Sequence, residues 1–381
     1  MVDRPNSTSD NNQAAFSWQG RKVFLTGHTG FKGGWLALWL TQLGATVRGY
    51  ALAPSTGPNL FTVARIGSVI EDIRGDIRDS ATLDCAMREF APEVVFHLAA
   101  QPLVRYSYQD PVGTFETNVI GTARVLDAVR RTPSVAAVVS VTTDKCYENK
   151  EWIWPYRETD SLGGYDPYSS SKACAEIVSA AFRQSYFPVD KLGHANGHGV
   201  AIATARAGNV IGGGDWSSDR LLPDLVLGFL SGQLVNIRSP HATRPWQHVL
   251  EPLHGYILLA ERLLTHNPHF ATAYNFGPSE SDARSVSWIA DQMAALWGDD
   301  ASWQVDDAPN PHEANYLKLD SSRARADLGW TPQLRLQQAL ELLVAWYRAW
   351  QYGEDMHAYT FNQIKLYSSR VPGGLRGLSR Q

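Results

Sequence analysis

Residues 23–35 read Val-Phe-Leu-Thr-Gly-His-Thr-Gly-Phe-Lys-Gly-Gly-Trp, and they contain the strongest structural signal in the chain. A β-prone run ends in a glycine-rich turn, and an apolar helix is predicted over residues 35–43. Glycines let a diphosphate approach the backbone N–H groups at a helix N-terminus, where larger side chains would block it. A purely structural turn is the alternative, but the preceding strand and following helix are the context of the dinucleotide motif. The stretch therefore predicts a dinucleotide cofactor bound by Gly27, Thr29, Gly30, Phe31, Lys32 and Gly33.

Strand-like and helix-like segments alternate beyond this turn. Such alternation predicts an α/β fold, a Rossmann-type doubly wound parallel sheet. The further strands are predicted at 46–52, 69–73, 94–98, 135–142, 200–206 and 272–276. The intervening helices are predicted at 80–90, 114–131 and 168–186.

The pattern changes after residue 211 and predicts a smaller mixed α/β substrate-binding domain. Helices are predicted at 224–230, 247–264 and 336–350, and a loop, a strand and a short helix over 309–329. The dinucleotide-binding domain is assigned to 18–211, with 245–277 returning to it. The substrate domain then comprises 212–244 and 278–367, between a disordered lead-in at 1–17 and a flexible tail at 368–381.

Composition narrows the classes of function. The 381 residues carry a net charge of −4 without a basic run, which argues against nucleic-acid and anionic-membrane partners. No apolar run approaches the length of a membrane span, and the polar start does not resemble a secretory signal. The cysteines, Cys85, Cys146 and Cys174, lack paired metal-ligand spacing, so no metal and a reducing, cytoplasmic location are predicted.

The residues alone leave the choice between NAD and NADP open. A Rossmann site usually has an acidic residue after its second strand to bind the adenosine ribose. Residues 49–52 contain neither Asp nor Glu, and no arginine follows closely to hold a 2′-phosphate. Asp76, after the third strand, could accept a hydrogen bond from the adenine amino group, or it could be an N-cap or turn aspartate.

Candidate catalytic side chains follow the fifth strand. Tyr168 and Lys172 are four residues apart on a predicted helix, so both lie on one face, and an ammonium group near a phenol favours the phenolate. A chance Y-x-x-x-K is common, but here it lies about 140 residues after the glycine turn and one strand after residues 135–142, which the triplet Thr143-Asp144-Lys145 follows. Ligands bind at the carboxyl ends of strands in such sheets, so an acid, a base and a phenol are expected to meet there.

These segments together resemble the extended short-chain dehydrogenases over residues 16–360. Within that group the resemblance is strongest to the CDP-glucose branch of the sugar-nucleotide 4,6-dehydratases. Most such dehydratases have Asp-Glu where this chain has Asp144-Lys145, and the CDP-glucose branch shares the lysine. The matching segments are TGHTGFKGGW at 26–35, HLAAQPLV at 97–104, TDKCY at 143–147, YSSSK at 168–172, RAGNVIGGGDW at 206–216, RPWQHV at 244–249 and HE at 312–313.

The resemblance implies a role for each catalytic residue. Tyr168 would deprotonate the glucose 4-hydroxyl while hydride passes to NAD, with Thr143 hydrogen-bonded to that hydroxyl. Lys172 would bind the nicotinamide ribose and lower the tyrosine pKa. Asp144 would protonate the departing 6-hydroxyl, and Lys145 would remove the C5 proton or stabilise the enolate. The implied enzyme is a lyase of deoxysugar biosynthesis that supplies lipopolysaccharide O-antigen.

The resemblance also implies further contacts and an assembly. Dimers of this family pair two helices per subunit, and the matching helices here are predicted at 114–131 and 168–186. Further cofactor contacts would come from Asp76, Ile77, Leu98, Ala99, Ala100 and Asn118. Contacts with the substrate, CDP-glucose, would come from Gln101, Asn209, Arg220, Arg244 and His312.

Two other functions remain open from the sequence. A 4-epimerase, reductase or different 4,6-dehydratase could use the same Tyr and Lys, and an epimerase or reductase would not need an acid at Asp144. A non-catalytic NAD-binding regulator would be expected to lose Tyr168 or Lys172, and the chain retains both.

Overall fold

Seven parallel strands form the main sheet of the structure, a computed structural model that describes residues 16–265, 267–306 and 316–371. The strand order is β10-β6-β5-β4-β1-β2-β3. The strands of the chain are β1 Lys22–Thr26, β2 Thr46–Ala51, β3 Glu71–Arg74, β4 Val94–His97, β5 Ala137–Val141, β6 Ala201–Ala207, β7 Asn209–Ile211, β8 Val235–Ile237, β9 Thr243–His248, β10 Ala273–Phe276, β11 Ala283–Ser285 and β12 Trp303–Val305. The expected doubly wound parallel sheet is therefore present, and the strand at 272–276 lies in it.

Helices cover both faces of this sheet because its strands are apolar on both sides. In β1, Val23 and Leu25 lie in one buried cluster and Phe24 lies in the other. The helices are α1 Phe31–Gln42, α2 Leu60–Val63, α3 Ser80–Phe90, α4 Val104–Gln109, α5 Pro111–Phe115, α6 Gly121–Arg130, α7 Pro167–Ser185, α8 Leu221–Leu230, α9 Leu250–Leu263, α10 Val286–Trp297, α11 Leu336–Gln351 and α12 Met356–Ser368. Helices α1 and α9 contribute to the first cluster, and α3 and α6 to the second.

Two of the predicted helices differ from the structure. The segment expected as a helix at 247–264 begins as strand β9, which pairs with β7 through Asn209 and Trp246, and helix α9 starts only at Leu250. The helix expected at 114–131 starts at Pro111 and is interrupted by a π-helical turn, Glu116–Ile120. Strand pairing overrides the apolar periodicity in the first case.

Smaller elements form the second layer of structure beside the main sheet. Strands β11, β9 and β7 form one small sheet, and β12 pairs with β8 in another. Helices α10 and α12 were not predicted. Helix α12 packs against helices α9 and α1. The Tyr367 hydroxyl donates to a carboxylate oxygen of Glu251 on α9 at 2.7 Å, and the Tyr367 ring meets the Trp39 ring on α1 edge-on, with 5.5 Å between the ring centroids.

The strand order reverses beside β1, and this places a cleft at the carboxyl ends of β1 and β4. Strand β1 pairs with β2 on one side and β4 on the other, with Thr26 opposite His97. Ligands of open α/β sheets bind at such a reversal. Within the described parts of the chain, every helix is too short or too polar to cross a bilayer.

Candidate active site

The glycine turn after β1 is shaped by close backbone contacts. Gly27 has a φ of +79°, and a Cβ there would lie 2.7 Å from the backbone nitrogen of Ala99. A Cβ on Gly33 would lie 2.1 Å from the carbonyl oxygen of Gly27. The Thr26 hydroxyl accepts the backbone N–H groups of Leu98 and Ala99, both at 3.1 Å, and so holds the loop after β4 against this turn. Only glycine fits where these two loops meet.

The N-terminus of α1 suits an anionic group such as a dinucleotide diphosphate. Gly30 is the N-cap, and across the described residues no side chain caps this helix. The first turn contains no acidic residue, so the N–H groups of Phe31, Lys32 and Gly33 meet no local negative charge. The residues present therefore fit the predicted cofactor.

Lys32 reaches beyond the turn into the neighbouring cavity. Its side chain lines the same cavity as Asp144 and Tyr168. The pKa of Lys32 is lowered to about 8, mainly by burial and also by the positive charge of Arg220, whereas the charge of Asp144 opposes this change. The sequence placed Lys32 only in the cofactor set, and the structure brings it to the catalytic cluster as well.

The end of β2 has a positive side chain that the sequence count missed. Arg74, at the end of β3, donates to the carbonyl oxygen of Leu52 at 3.1 Å and pairs with Asp72 at 2.8 Å. The Thr29 hydroxyl donates to the same carbonyl oxygen at 3.0 Å. Counting along β2 could not find Arg74 because the residue comes from the neighbouring strand.

Asp76 is a turn aspartate and not an N-cap. Its carboxylate accepts the backbone N–H of Arg78 at 2.8 Å and pairs with the same residue's guanidinium at 2.7 Å. Those contacts with Arg78 lower the pKa of Asp76. The N-cap of α3 is Asp79, which accepts from the N–H groups of Ala81 and Thr82. A contact between Asp76 and the adenine stays a prediction.

The remaining predicted cofactor residues line the loops after β3 and β4. Ile77 is buried in the core, while Leu98, Ala99 and Ala100 are half-buried beside the glycine turn. Asn118 is buried, and its amide group bonds to both backbone groups of Gln101 and, at 2.8 Å, to Ser171. Asn118 therefore fixes the loop after β4 against α7, with its amide atoms occupied by protein groups.

The catalytic candidates meet at the carboxyl end of β5. Thr143 caps a short 3₁₀ turn, Asp144–Cys146, and its hydroxyl accepts the backbone N–H of Lys145 at 3.3 Å. That hydroxyl donates to Asp144 Oδ1 at 3.0 Å. Thr143, Asp144, Lys145 and Tyr168 all line one cavity of about 280 Å³. The meeting of these residues that the sequence anticipated is present.

Burial favours the protonated form of the Tyr168 phenol. Only 9% of the residue is exposed, and this burial raises its pKa to about 12. A hydrogen bond with the Thr143 side chain and the charge of Arg220 both act in the opposite direction. The sequence assigned that lowering effect to Lys172, whose ammonium nitrogen instead donates to the Val141 carbonyl oxygen at 3.3 Å. Burial lowers the pKa of Lys172 to about 8.

Asp144 is a buried carboxyl group beside Thr143. It is 2% exposed, and burial raises its pKa, although Lys145, Thr143, Arg244 and Lys32 oppose the rise. Its Oδ2 atom has no hydrogen-bond partner among the described residues. A raised carboxyl pKa is what a general acid needs near neutral pH.

Positive and polar groups extend the cavity away from the catalytic cluster. Arg220 pairs with Asp215 at 3.1 Å, and the buried Arg244 donates to the Thr243 carbonyl oxygen at 3.1 Å. Asn209 lines the same cavity. The Gln101 amide donates to Leu103 and Thr114. His312 lies outside the described residues.

A buried ion pair next to the Thr143-Asp144-Lys145 segment was not predicted from the sequence. Glu176, on α7, accepts from the Arg206 guanidinium through both oxygens at 2.9 Å, and each side chain is 3% exposed. The same carboxylate accepts the Thr142 hydroxyl at 2.5 Å, next to the catalytic triplet. The spacing Tyr168, Lys172, Glu176 was the available signal, because residues four apart share a helix face.

Comparisons with known proteins identify the family of the chain. The model of the family described as GDP-mannose 4,6 dehydratase matches residues 24–343. The CDP-glucose 4,6-dehydratase of Salmonella typhimurium strain LT2 is 53% identical over 352 residues, which cover 92% of this chain and 97% of that protein.

Solved structures with the same fold include two of sugar-nucleotide enzymes. The UDP-glucose 4-epimerase of Thermotoga maritima, solved with UDP-glucose, has a TM-score of 0.73 at 20% identity and covers 87% of this chain and 99% of its own. The dTDP-glucose 4,6-dehydratase of Bacillus anthracis, solved in complex with NAD, has a TM-score of 0.71 at 20% identity, with coverages of 88% and 99%.

Proposed function

The chain belongs to the family described as GDP-mannose 4,6 dehydratase. From that membership and from the 53% identity with the CDP-glucose 4,6-dehydratase of Salmonella typhimurium, we propose that it converts CDP-glucose to CDP-4-dehydro-6-deoxyglucose and water with NAD as cofactor. The observation that carries this function is the meeting of Thr143, Asp144 and Tyr168 in one cavity beside the glycine turn. The parallel strands and the glycine turn form the cofactor cleft, and Thr143, Asp144 and Lys145 at the end of β5 provide the reacting side chains together with Tyr168.

The chain's own residues position and deprotonate the sugar. When bound at the glycine turn, NAD would supply the reversible hydride acceptor that the chemistry at C4 and C6 of the sugar requires. The Tyr168 phenolate takes the proton of the 4-hydroxyl, and Thr143 and the Lys172 ammonium group hold the reacting groups in register. Lys145 removes the proton at C5, which the 4-keto group acidifies, or stabilises the enolate that forms.

Asp144 completes the reaction by protonating the departing 6-hydroxyl. Burial raises the pKa of this carboxyl group, which favours its protonated form, and a buried site keeps bulk water from competing for that proton. Arg220 and Arg244 carry the charge that a sugar nucleotide's diphosphate requires, because a guanidinium binds phosphate oxygens in pairs.

The product distinguishes this function from its relatives. We expect the enzyme, incubated with NAD+ or NADP+ and CDP-, dTDP-, UDP- or GDP-glucose, to show its largest kcat/KM with CDP-glucose and NAD+. Mass spectrometry should detect the loss of water, and the 4-keto-6-deoxy product should absorb in alkaline solution. A product of unchanged mass would identify a 4-epimerase and contradict the proposal.

We also propose that the active species contains a homodimer formed through two helical segments per subunit. Exposed apolar side chains lie on both segments, with exposed fractions of 68% for Val112, 37% for Phe115, 47% for Ile120 and 57% for Ile177. A second copy of the chain would cover this face, which is apolar enough to act as an interface.

Oligomeric mass tests this interface directly. Ile177→Asp should shift the mass measured by light scattering to that of a single chain, because it places a charge in an apolar contact. Leu366→Asp is the matched control, since Leu366 is 61% exposed on α12 and should leave the mass unchanged. A wild-type mass equal to one chain would rule the homodimer out.

The cysteines support a reducing location, which we propose to be the cytoplasm. Cys85, Cys146 and Cys174 are all free thiols, and Cys146 is fully buried. Free thiols persist where the surroundings keep them reduced.

A further inference from the structure

Four carboxyl groups of the described residues line the cavity of about 280 Å³. Asp144 accepts a hydrogen bond within the catalytic cluster. Asp215 pairs with Arg220 at 3.1 Å, and Asp219 pairs with Arg105 at 3.3 Å. Three of the four carboxyl groups therefore already have partners in the protein.

Asp224 is the fourth carboxyl group, and its side chain makes neither a hydrogen bond nor an ion pair with the parts of the chain that the structure describes. It lies in the first turn of α8 and is half-buried in the cavity wall. Burial, followed by the charge of Asp219, raises the pKa of Asp224 to about 6, although the charge of Arg105 opposes the rise. A carboxylate that has lost water without gaining a partner favours a ligand that carries a hydrogen-bond donor.

A nucleotide sugar, the substrate of the proposed function on which this assignment rests, has a fixed order of groups. With the sugar against Tyr168 and the diphosphate against Arg220 and Arg244, the ribose and the base must lie beyond the two arginines. Arg220 is the N-cap of α8, and beyond it the cavity wall continues with the first turn of α8 and with strand β8. The base is therefore expected beside Asp224.

The cavity wall beside Asp224 is apolar, as a planar base requires. Helix α8 and strand β8 lie close together, since a Cβ on Gly228 would lie 2.2 Å from the Val235 side chain. The polar side chain of β8, Asn236, already accepts from the Gln304 amide at 2.7 Å. Small-molecule pockets combine such apolar walls with a few polar groups that fix the orientation of the ligand. The apolar lining residues of this part are Leu221, Leu222, Pro223, Val235, Ile237 and Val286.

The chemistry of the pyrimidines decides what a carboxylate selects at this place. Cytosine has an amino group on C4, which is a hydrogen-bond donor, whereas uracil and thymine have a carbonyl oxygen there, which is an acceptor. An ionised carboxylate only accepts, so it attracts the amino group and repels the carbonyl oxygen. We propose that Asp224 selects CDP-glucose over UDP-glucose and dTDP-glucose by accepting a hydrogen bond from the cytosine amino group.

The binding of nucleotides alone tests this selection separately from catalysis. Isothermal titration calorimetry with CDP and with UDP should give the wild type the lower Kd for CDP. Asp224→Asn should shrink the ratio of the two Kd values by roughly 10- to 100-fold, the range expected for a hydrogen bond to a charged group. The amide suits both bases, because it can accept from an amino group or donate to a carbonyl oxygen. The ratio of kcat/KM for CDP-glucose and UDP-glucose should fall by the same factor.

Asp219→Asn is the matched control, because it removes a carboxylate of the same cavity that is already paired with Arg105. It should leave both ratios within about two-fold of wild type. A loss of selectivity in Asp219→Asn and not in Asp224→Asn would assign base selection to the wrong residue here.

An acidic residue in the first turn of a helix also stabilises the helix through its dipole. If Asp224→Asn lowers the thermal midpoint but keeps the wild-type preference for CDP, Asp224 only stabilises α8 and the proposal is wrong. Equal Kd values for CDP and UDP in the wild type would also overturn it. If the wild type prefers CDP but forms no dehydrated product from CDP-glucose, the proposed reaction fails while base selection by Asp224 is retained.

Discussion

Tyr168→Phe should lower kcat by at least about 10³-fold, because a general base at the reacting atom contributes on the order of 10²–10⁴ to the rate. The ring stays in place, since the residue is 9% exposed and the substitution removes a single oxygen atom. The fold and the binding of CDP-glucose should therefore change little. Turnover, the thermal midpoint and the dissociation constant of the nucleotide sugar check the three parts of this expectation.

The pH dependence gives a second measure of the same residue. The phenolate is the reactive form, and burial raises the Tyr168 pKa to about 12 in the protein alone. The wild-type rate should therefore increase as the pH rises towards the phenol pKa in the complex, and the residual rate of the Phe variant should lack that increase. Near-normal turnover in Tyr168→Phe would refute the assignment of the base.

Tyr352→Phe is the control for the loss of a phenol. Tyr352 is 74% exposed and follows α11, away from the cavity. Its removal should leave kcat within about two-fold of wild type, as expected for a surface substitution far from the site.

The fold could be predicted because its determinants are local in the sequence. A glycine turn between a strand and a helix requires only a few adjacent residues, and the alternation of apolar runs reports the burial of each strand. The helix predicted to begin at Gln247 begins only at Leu250, because the apolar spacing of a helix also fits a strand that pairs in a small sheet. Strand β9 exists through its pairing with β7, and that contact is not visible along the chain.

The residues of the site could be predicted from the sequence, but the hydrogen bonds between them could not. Tyr168 and Asp144 follow from spacing and from the rule that ligands bind at strand ends. The hydrogen bond from Thr143 to Asp144 needs the 3₁₀ turn that sequence patterns did not indicate. The position of Arg74 beside the end of β2 depends on which strands are neighbours in the sheet.

Glu176→Gln should destabilise the protein by about 3–5 kcal/mol, because removing one partner leaves a buried charge without compensation. Arg206 would lose its carboxylate while remaining 3% exposed. Burial alone would raise the pKa of Glu176, but the charge and hydrogen bonds of Arg206, with hydroxyl donors, hold it below its usual value. The measurement is the free energy of unfolding in urea.

The pH dependence of stability should follow the same group. Because the folded-state pKa of Glu176 is lowered, its contribution is fully present above the unfolded pKa of about 4.3 and is lost as the pH falls through the folded value. Glu341→Gln, on the exposed face of α11, is the control and should change stability by about 0.5 kcal/mol or less.

A double substitution separates the charge from the packing. Arg206→Met combined with Glu176→Leu removes both charges, and it should recover part of the stability because no ion stays buried. Catalysis should still suffer, since Glu176 accepts the hydroxyl of Thr142 beside the catalytic triplet and lies one turn beyond Lys172 on α7. A loss below about 1 kcal/mol in Glu176→Gln would mean that water or another group compensates Arg206, and that the pair does not hold the catalytic loop.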